Sequence, residues 1–283
     1  MTTSVFYDKD SSAWKKADEM IIEYHGLNSD AVLKPFLDVN ANKTIVLTID
    51  PKDISEKLWN IFAEIKDYKN FKIKFLNMFS TVVHRKIKEL GIPYFFGNHI
   101  AHTYEDFYFL TEQAEADEVY IGIDLGFDLR NVKELADKKG VKLRAFPNYA
   151  MGRYEHIDRT KMFFIRPEDI DEYAKYIDTF ELMGTPSIVD VAYRVYFERK
   201  SWLGKLEEII IGLAPCDLDS RYLLPFWGKR ANCKRRCIMG GACDLCGSMQ
   251  KISEIFEKAE IDIPKDIPVP EIKEQKEMVK PNF

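Results

Sequence analysis

The segment EVYIGIDLGFDLRNVKELADKKGVKLRAF, residues 118–146, decides the fold class. It begins and ends with short apolar runs, Glu118–Asp124 and Lys142–Phe146, which are typical of strands buried on both faces. Between the runs, Leu129–Lys139 carries apolar residues at helical spacing and is followed by Gly140, a residue that favours helix termination. A strand, a helix and a second strand in this order predict a right-handed βαβ unit of a parallel sheet.

The same alternation extends from residue 40 to residue 184. A second helix is predicted over Ile54–Asp67, with Asp53 at its N-cap. Seven candidate strands favour an α/β fold with a TIM-like parallel β/α barrel, complete or incomplete, over an open doubly wound sheet. No Gly-x-Gly-x-x-Gly follows the first predicted strand, so a Rossmann-type dinucleotide site lacks support. The other five predicted strands are Thr44–Ile49, Phe71–Leu76, Pro93–Gly97, Lys161–Ile165 and Thr179–Met183.

After the last predicted strand the pattern changes. Two helices are predicted over Ile188–Arg199 and Trp202–Leu213, and a cysteine-rich segment and a Pro- and charge-rich tail follow them. We therefore expect a barrel over residues 1–200, a helical, cysteine-rich metal-binding extension over 201–260, and a tail over 261–283.

Composition narrows the class of protein. The 283 residues are 46% hydrophobic and 31% charged, which excludes general disorder, and the net charge of -5 excludes a basic DNA-coating protein. There is no apolar run of about eighteen residues, so no membrane span is expected. Met1–Ser12 is polar and acidic, unlike a secretory signal, and a cytoplasmic location is expected.

Polar residues follow the predicted strands. In a parallel barrel the functional groups lie at the carboxyl ends of the strands, so these residues are candidates for binding a small polar ligand. The alternative is that Asp and Asn at these ends only cap helices or face solvent. The candidates are Asp50, Asn77, Asn98 with His99, Asp124, Asn148 with Tyr149, and Arg166.

Four cysteines form the strongest motif. Residues 1–215 contain no cysteine, and Cys233-x3-Cys237-x5-Cys243-x2-Cys246 then places four thiols in a short stretch. Four thiolates satisfy either a tetrahedral Zn²⁺ ion or a [4Fe–4S] cluster. Cys216 is either a reserve ligand or a buried thiol outside this set, and the buried thiol is favoured.

The cysteines lie in a basic stretch of an acidic chain. Between Arg221 and Cys243 there are six basic residues and no acidic one, and Arg235 and Arg236 lie beside Cys237. These cations either balance the charge of the thiolates or bind an anionic partner such as RNA or an anionic small molecule. Tyr222, with Phe226 and Trp227, would offer stacking surfaces for bases.

With the barrel and the cysteines in place, the sequence resembles the peptidase U32 family over about two thirds of its length. The segment that runs from Ala116 to Asn148 resembles that family's strand–helix–strand unit, and Arg166–Gly184 followed by Tyr193–Tyr196 resembles its later strand and Tyr-Arg helix. Arg221–Cys237 is similar to its Arg-x-x-Asn stretch before clustered cysteines.

The resemblance implies a barrel-like fold and a [4Fe–4S] cluster held by Cys233, Cys237, Cys243 and Cys246. It implies an oxygen-independent hydroxylase or modification enzyme that acts on RNA or on another anionic or aromatic substrate. Residues 181–185 read Glu-Leu-Met-Gly-Thr where the family has Lys-Ile-Glu-Gly-Arg, so peptidase activity is not expected. The alternative function is a non-catalytic barrel with a structural zinc knuckle that binds nucleic acid or a protein partner.

Overall fold

The computed structural model describes residues 1–26, 33–77, 81–122, 125, 128–149, 165, 167, 170–198 and 209–211. Within these residues, eight parallel strands pair in chain order and close into a barrel, because β1 is hydrogen-bonded to β8 as well as to β2. The TIM-like barrel expected from the sequence is therefore confirmed, and it is closed. The strands are β1 (Thr2–Phe6), β2 (Glu19–Glu23), β3 (Thr44–Ile49), β4 (Phe71–Phe75), β5 (Tyr94–Ala101), β6 (Glu118–Ile121), β7 (Lys142–Ala145) and β8 (Thr179–Leu182).

Helices occupy the connections between the strands. Their apolar residues cover the outer face of the barrel, as Phe62 does when its ring packs 6.1 Å from that of Phe71 in β4. The helices are α1 (Ala13–Lys16), α2 (Leu33–Val39), α3 (Glu56–Ile65), α4 (Thr81–Glu89), α5 (Tyr104–Tyr108), α6 (Leu129–Lys139), α7 (Ile170–Tyr173) and α8 (Pro186–Tyr196), and a π-helical turn (Phe109–Gln113) continues α5.

Two strands at the N-terminus were not expected from the sequence. β1 reads Thr-Thr-Ser-Val-Phe and β2 reads Glu-Met-Ile-Ile-Glu, so neither is a plain apolar run. Asp18 holds the two strands together, since its carboxylate accepts hydrogen bonds from the backbone N–H and the hydroxyl of Thr3, at 2.8 and 3.0 Å. These two strands complete the barrel. Of the predicted strands, Lys161–Ile165 lies outside the described residues except for the buried Ile165.

The helix boundaries confirm one prediction and correct another. Helix α6 begins and ends as predicted, and Gly140 follows it with a φ of 69°, the left-handed conformation that glycine adopts most easily. Helix α3 begins at Glu56, and its N-cap is Ser55, whose hydroxyl accepts from the backbone N–H of Leu58 at 3.1 Å. The predicted N-cap, Asp53, is wrong, because Asp53 belongs to a separate 3-10 turn that precedes the helix.

The chain divides into two compact units. The first comprises Met1–Pro147 and Asp169–Asp190 and includes the eight strands of the barrel. The second comprises Asn148–Glu168 and Val191–Phe283. The predicted boundaries at residues 200 and 260 lie outside the described residues and stay predictions. Among the described residues, no helix is both long enough and apolar enough to cross a bilayer.

Candidate functional site

Charged side chains fill the inside of the barrel. Successive side chains of a strand point to opposite faces, so residues two positions apart share a face. In β4, Phe71 and Phe75 face the surrounding helices, whereas Lys72 and Lys74 face the interior. Other strands follow the same rule. The interior side chains that interact with one another are the half-buried Lys72 and the buried Ser4, Glu19, Lys74, Glu118, Tyr120, Arg144 and Glu181.

Glu19, Lys72, Glu118 and Arg144 form what we call the lower cluster. The Lys72 amine lies 2.6 Å from a carboxylate oxygen of Glu19 and 2.6 Å from one of Glu118. The guanidinium of Arg144 donates to Glu118 at 2.5 Å and to Glu19 at 2.8 Å. Arg144 is fully buried, and its guanidinium lies 4.4 Å from the ring centre of Phe95.

Lys74, Tyr120 and Glu181 form the upper cluster. Lys74 and Tyr120 each lie two residues after a member of the lower cluster, so the upper cluster is nearer the carboxyl ends of the strands. The Lys74 amine lies 2.5 Å from one carboxylate oxygen of Glu181, and the Tyr120 hydroxyl donates to the other. Arg144 joins the two clusters, because it also donates to Glu181 at 3.3 Å.

Aromatic rings surround the Lys74 amine. It lies 4.9 Å from the ring centre of Phe6, 5.5 Å from that of Tyr120 and 5.8 Å from that of Phe146. The rings of Tyr120 and Phe146 are stacked, with centres 4.3 Å apart and planes inclined by 8°. Gly97 admits this arrangement, since a Cβ at that position would overlap Cε of Lys74.

The two interior lysines have opposite electrostatic environments. Burial alone would lower the pKa of Lys72, but the carboxylates of Glu118 and Glu19 outweigh it and raise that pKa. At Lys74 burial prevails over the carboxylate of Glu181 and lowers the pKa. Burial would raise the pKa of Glu19, but Arg144 and Lys72 outweigh it and lower the value to about 2.

The carboxyl-terminal rim of the barrel carries some of the residues predicted from the strand ends. Asp50 follows β3 and Asn77 follows β4, and the structure brings them together, with the Asn77 amide donating to the Asp50 carboxylate at 2.6 Å. Burial would raise the pKa of Asp50, but hydrogen bonds from Lys52 and Asn77 outweigh it and lower that pKa. Asp53 lies three residues after Asp50, and its carboxylate is 3.2 Å from Nε2 of His25.

The placement of Asn98 and His99 after a strand is wrong, because β5 continues through both residues to Ala101. Phe95 pairs with Glu118 and Ile100 pairs with Tyr120, so four residues of β5 lie opposite a single residue of β6. Asn98 is exposed in this irregular part of the strand. His99 is half-buried, its ring packs against that of Phe96, and burial lowers its pKa.

The remaining predicted residues are only partly described. Asn148 is buried and its carbonyl accepts from the backbone N–H of Ile211 at 2.9 Å, and Tyr149 forms a parallel bridge with Ile211; both belong to the second unit. In the described part of the chain, no group of three or more His, Cys, Asp or Glu side chains is placed to hold a metal ion. The following predicted residues lie outside the described residues: Asp124, Arg166, Arg235, Arg236, Cys233, Cys237, Cys243 and Cys246.

The two interior clusters were missed by the sequence analysis, although the sequence contains a sign of them. Charged or hydroxyl-bearing residues stand two positions apart inside three short strands: Lys72 and Lys74 in β4, Glu118 and Tyr120 in β6, and Thr179 and Glu181 in β8. These strands were interpreted as buried on two apolar faces. Their alternation instead indicates an apolar outer face and a charged inner face.

Comparisons with known proteins give a fold likeness only. No protein-family model matches the chain, and no curated protein matches it. Among solved structures, RipC from Yersinia pestis is 10% identical, with 66% of this chain and 90% of that chain covered and a TM-score of 0.34. The 3-hexulose-6-phosphate synthase from Salmonella typhimurium is 13% identical, with 64% of this chain and 88% of that chain covered and a TM-score of 0.37. The strand pairing, not these scores, establishes the barrel.

Proposed function

We propose that the protein is a barrel enzyme that binds a [4Fe–4S] cluster through Cys233, Cys237, Cys243 and Cys246. It would hydroxylate or otherwise modify RNA, or another anionic or aromatic substrate, without oxygen. The observation that carries the proposal is the cysteine motif itself: four of the five cysteines of the chain lie within residues 233–246. Four thiolates are a complete ligand set for such a cluster, and the choice of iron over zinc follows the resemblance to the U32 family.

The barrel supports an enzyme rather than a passive scaffold. Enclosing three acidic and three basic side chains in the barrel interior costs desolvation energy, and a hydrophobic core of the same volume is often at least as stable. Clusters of ionisable groups with shifted pKa values are concentrated at functional sites. The upper cluster also lies toward the end of the barrel where enzymes of this fold carry their active sites.

The iron–sulfur cluster, the basic stretch and the interior side chains would have different roles, which follow from their chemistry. The [4Fe–4S] cluster, when bound, would supply electron transfer or a Lewis-acidic iron. The basic stretch from Lys229 to Arg236 would bind phosphates or carboxylates of the substrate. Inside the barrel, Arg144 and Lys72 form ion pairs with three carboxylates and so fix the positions of the interior side chains.

Metal analysis tests the proposal. Full-length protein purified without oxygen is expected to contain iron and acid-labile sulfide in equal amounts. Cys243→Ser and Cys246→Ser should each lose most of both, because a cluster lacking one thiolate ligand is held weakly. Cys216→Ser is the matched control and should retain wild-type iron.

Two results would overturn the proposal. Stoichiometric zinc without iron or sulfide would leave the zinc-knuckle scaffold as the function. Full iron content in both Cys243→Ser and Cys246→Ser would exclude these cysteines as ligands.

A further inference from the structure

Beside the upper cluster lies a hydroxyl group that has no hydrogen-bond partner among the described residues. Thr48 of β3 pairs with Lys74 of β4, and paired residues of adjacent strands point to the same face, so Thr48 lies beside Lys74 on the inner face. Thr48 is 4% exposed, and within the described residues its Oγ1 makes no hydrogen bond. A buried hydroxyl without a partner is unfavourable, so a bound molecule with a polar atom at this place would be stabilised.

Lys74 differs from the other lysines in the chemistry it can perform. Its side chain is 6% exposed, and its amine contacts one carboxylate among three aromatic rings. Burial lowers its pKa, so the neutral amine is more accessible than at an exposed lysine. Lysines desolvated in this way are the ones that react with carbonyl groups.

We propose that Lys74 is a covalent binding residue that forms an imine with a small aldehyde or ketone inside the barrel. The Thr48 hydroxyl would bind the oxygen of that molecule, and Glu181 would move the protons. This inference is independent of the proposed [4Fe–4S] cluster, because it rests on residues of the barrel alone.

The step balances with the groups present. The Lys74 ammonium first gives a proton to the Glu181 carboxylate, 2.5 Å away, which leaves a neutral amine and a carboxylic acid. The amine nitrogen bonds to the carbonyl carbon, and the carbonyl electron pair moves to oxygen, which takes a first proton from that nitrogen to give a carbinolamine. A second proton lets this oxygen leave as water, while the nitrogen lone pair forms the C=N bond and the C–O bond breaks. Glu181 returns its proton to that oxygen, so the products are a protonated imine, water and the Glu181 carboxylate. The Tyr120 hydroxyl, which donates to Glu181, steadies the carboxylate throughout.

The interior charges indicate that the carbonyl compound is uncharged. The cations Lys72, Lys74 and Arg144 are matched within the described interior by the carboxylates Glu19, Glu118 and Glu181. A protonated imine keeps the positive charge of Lys74, so this balance survives the reaction. A carboxylate on the incoming molecule would add a buried negative charge for which the described interior holds no spare cation.

Reductive trapping tests the inference. Full-length protein is treated near neutral pH with a low concentration of acetaldehyde and sodium cyanoborohydride, which converts an imine to a stable ethyl-lysine, and the sites are identified by peptide mass spectrometry. Lys74 should be modified faster than the exposed Lys52 or Lys88, since a lowered pKa leaves a larger fraction of the amine neutral. Lys72 is the matched control, because its side chain lies on the inner face of the same strand and is 13% exposed but is paired with two carboxylates, and it should stay unmodified.

Three variants test the contributions of Lys74, Thr48 and Gly97 to this modification. Lys74→Arg keeps the positive charge beside Glu181 and should leave only the slow modification of exposed lysines. Thr48→Val keeps the shape of the side chain without the hydroxyl and should slow ethylation of Lys74 several-fold. Gly97→Ala should also slow it, because the new methyl group displaces the Lys74 side chain.

Three results would overturn the inference. Lys74 modified no faster than Lys52 would show that its amine is not reactive. An unchanged rate of Lys74 ethylation in Thr48→Val would show that the Thr48 hydroxyl does not bind the carbonyl compound. Glyoxylate reacting at Lys74 as readily as acetaldehyde, with both rates normalised to exposed lysines of the same sample, would contradict an uncharged ligand.

Discussion

Glu19 illustrates what a single side chain experiences inside this barrel. It is 1% exposed, and its carboxylate accepts from Lys72 at 2.6 Å and from Arg144 at 2.8 Å. Desolvation of a lone carboxylate would be prohibitive, and only two cations with good hydrogen-bond geometry make the ionised form acceptable. Glu118 and Glu181 each pair with two cations as well, so the interior charges form connected clusters and not isolated pairs.

A pH dependence of stability follows from Glu19. Its pKa falls from 4.5 to about 2 on folding, so its ionised form stabilises the protein fully above the unfolded value, and this contribution is lost as the pH falls through that range. The loss amounts to about 3 kcal/mol at most. We expect Glu19→Gln to be less stable than the wild type at neutral pH, and the difference to shrink between about pH 5 and pH 3. Urea unfolding at a series of pH values measures it.

A surface carboxylate serves as the control for Glu19. Glu64 is 59% exposed in its pair with Lys34, so Glu64→Gln should give a curve parallel to that of the wild type. If Glu19→Gln also gave a parallel curve, the carboxylate of Glu19 would not be stabilised in the folded state.

Among the helices, the end of α6 and the start of α3 differ in how directly the sequence indicates them. The ends of α6 follow from the local sequence, because Gly140 adopts the left-handed conformation that terminates the helix. The start of α3 does not follow from the nearest acidic residue. Asp50 accepts from the backbone N–H of Lys52 and begins a separate 3-10 turn that ends at Asp53, so the helix starts only after it.

The N-cap of α3 can be tested with two substitutions. Ser55→Ala removes the acceptor for the backbone N–H of Leu58 and should lower the free energy of unfolding by about 1 kcal/mol. Asp53→Ala should change it by less than about 0.5 kcal/mol, because the ion pair that the Asp53 side chain makes is with the exposed His25. Denaturant unfolding of both variants measures the difference. Equal losses would mean that Asp53 also supports the helix.

Strand β5 shows why its end could not be predicted. Side chains alternate regularly between the two faces of a strand only while each residue pairs with one residue of the adjacent strand. In β5 this one-to-one pairing with β6 is interrupted between Phe95 and Ile100. Gly97 lies in this irregular part, where the Lys74 side chain occupies the space of a Cβ. The requirement comes from a residue on another strand, so no local pattern around Asn98 indicates it.

At the scale of the whole molecule, closure depends on the N-terminal strand. β1 pairs with β2 on one side and with β8 on the other, and its Ser4 hydroxyl accepts from Arg144 at 3.1 Å. Without β1, β2 and β8 would each present an unpaired edge, and the interior charges would meet water.

Removal of Met1–Phe6 is therefore expected to abolish cooperative unfolding and to promote aggregation. Thermal melts followed by near-ultraviolet circular dichroism, together with size-exclusion chromatography, measure both effects. The double variant Lys9→Ala/Asp10→Ala alters exposed residues just after β1 and should melt like the wild type. A truncated protein that still unfolds cooperatively near the wild-type temperature would show that β1 is dispensable.

The sequence by itself determined the class of the fold. The apolar runs at residues 44–49, 71–76, 118–124, 142–146 and 179–183, together with the helical spacing between them, predicted parallel strands joined by helices, and the structure confirms them. These features are readable because they depend on residues that are neighbours in the chain. The cysteine motif is equally local, and it carries the proposed function.

Only the tertiary structure decided what fills the barrel. Lys74 meets Glu181, which is 107 positions away, and Arg144 meets Ser4 across 140 positions. Burying a charged side chain inside the barrel costs free energy unless a side chain of opposite charge lies next to it. Which side chain lies there depends on the closure of the barrel and not on the local sequence. For the same reason the polar strands β1 and β2 could be recognised only once their neighbours were in place.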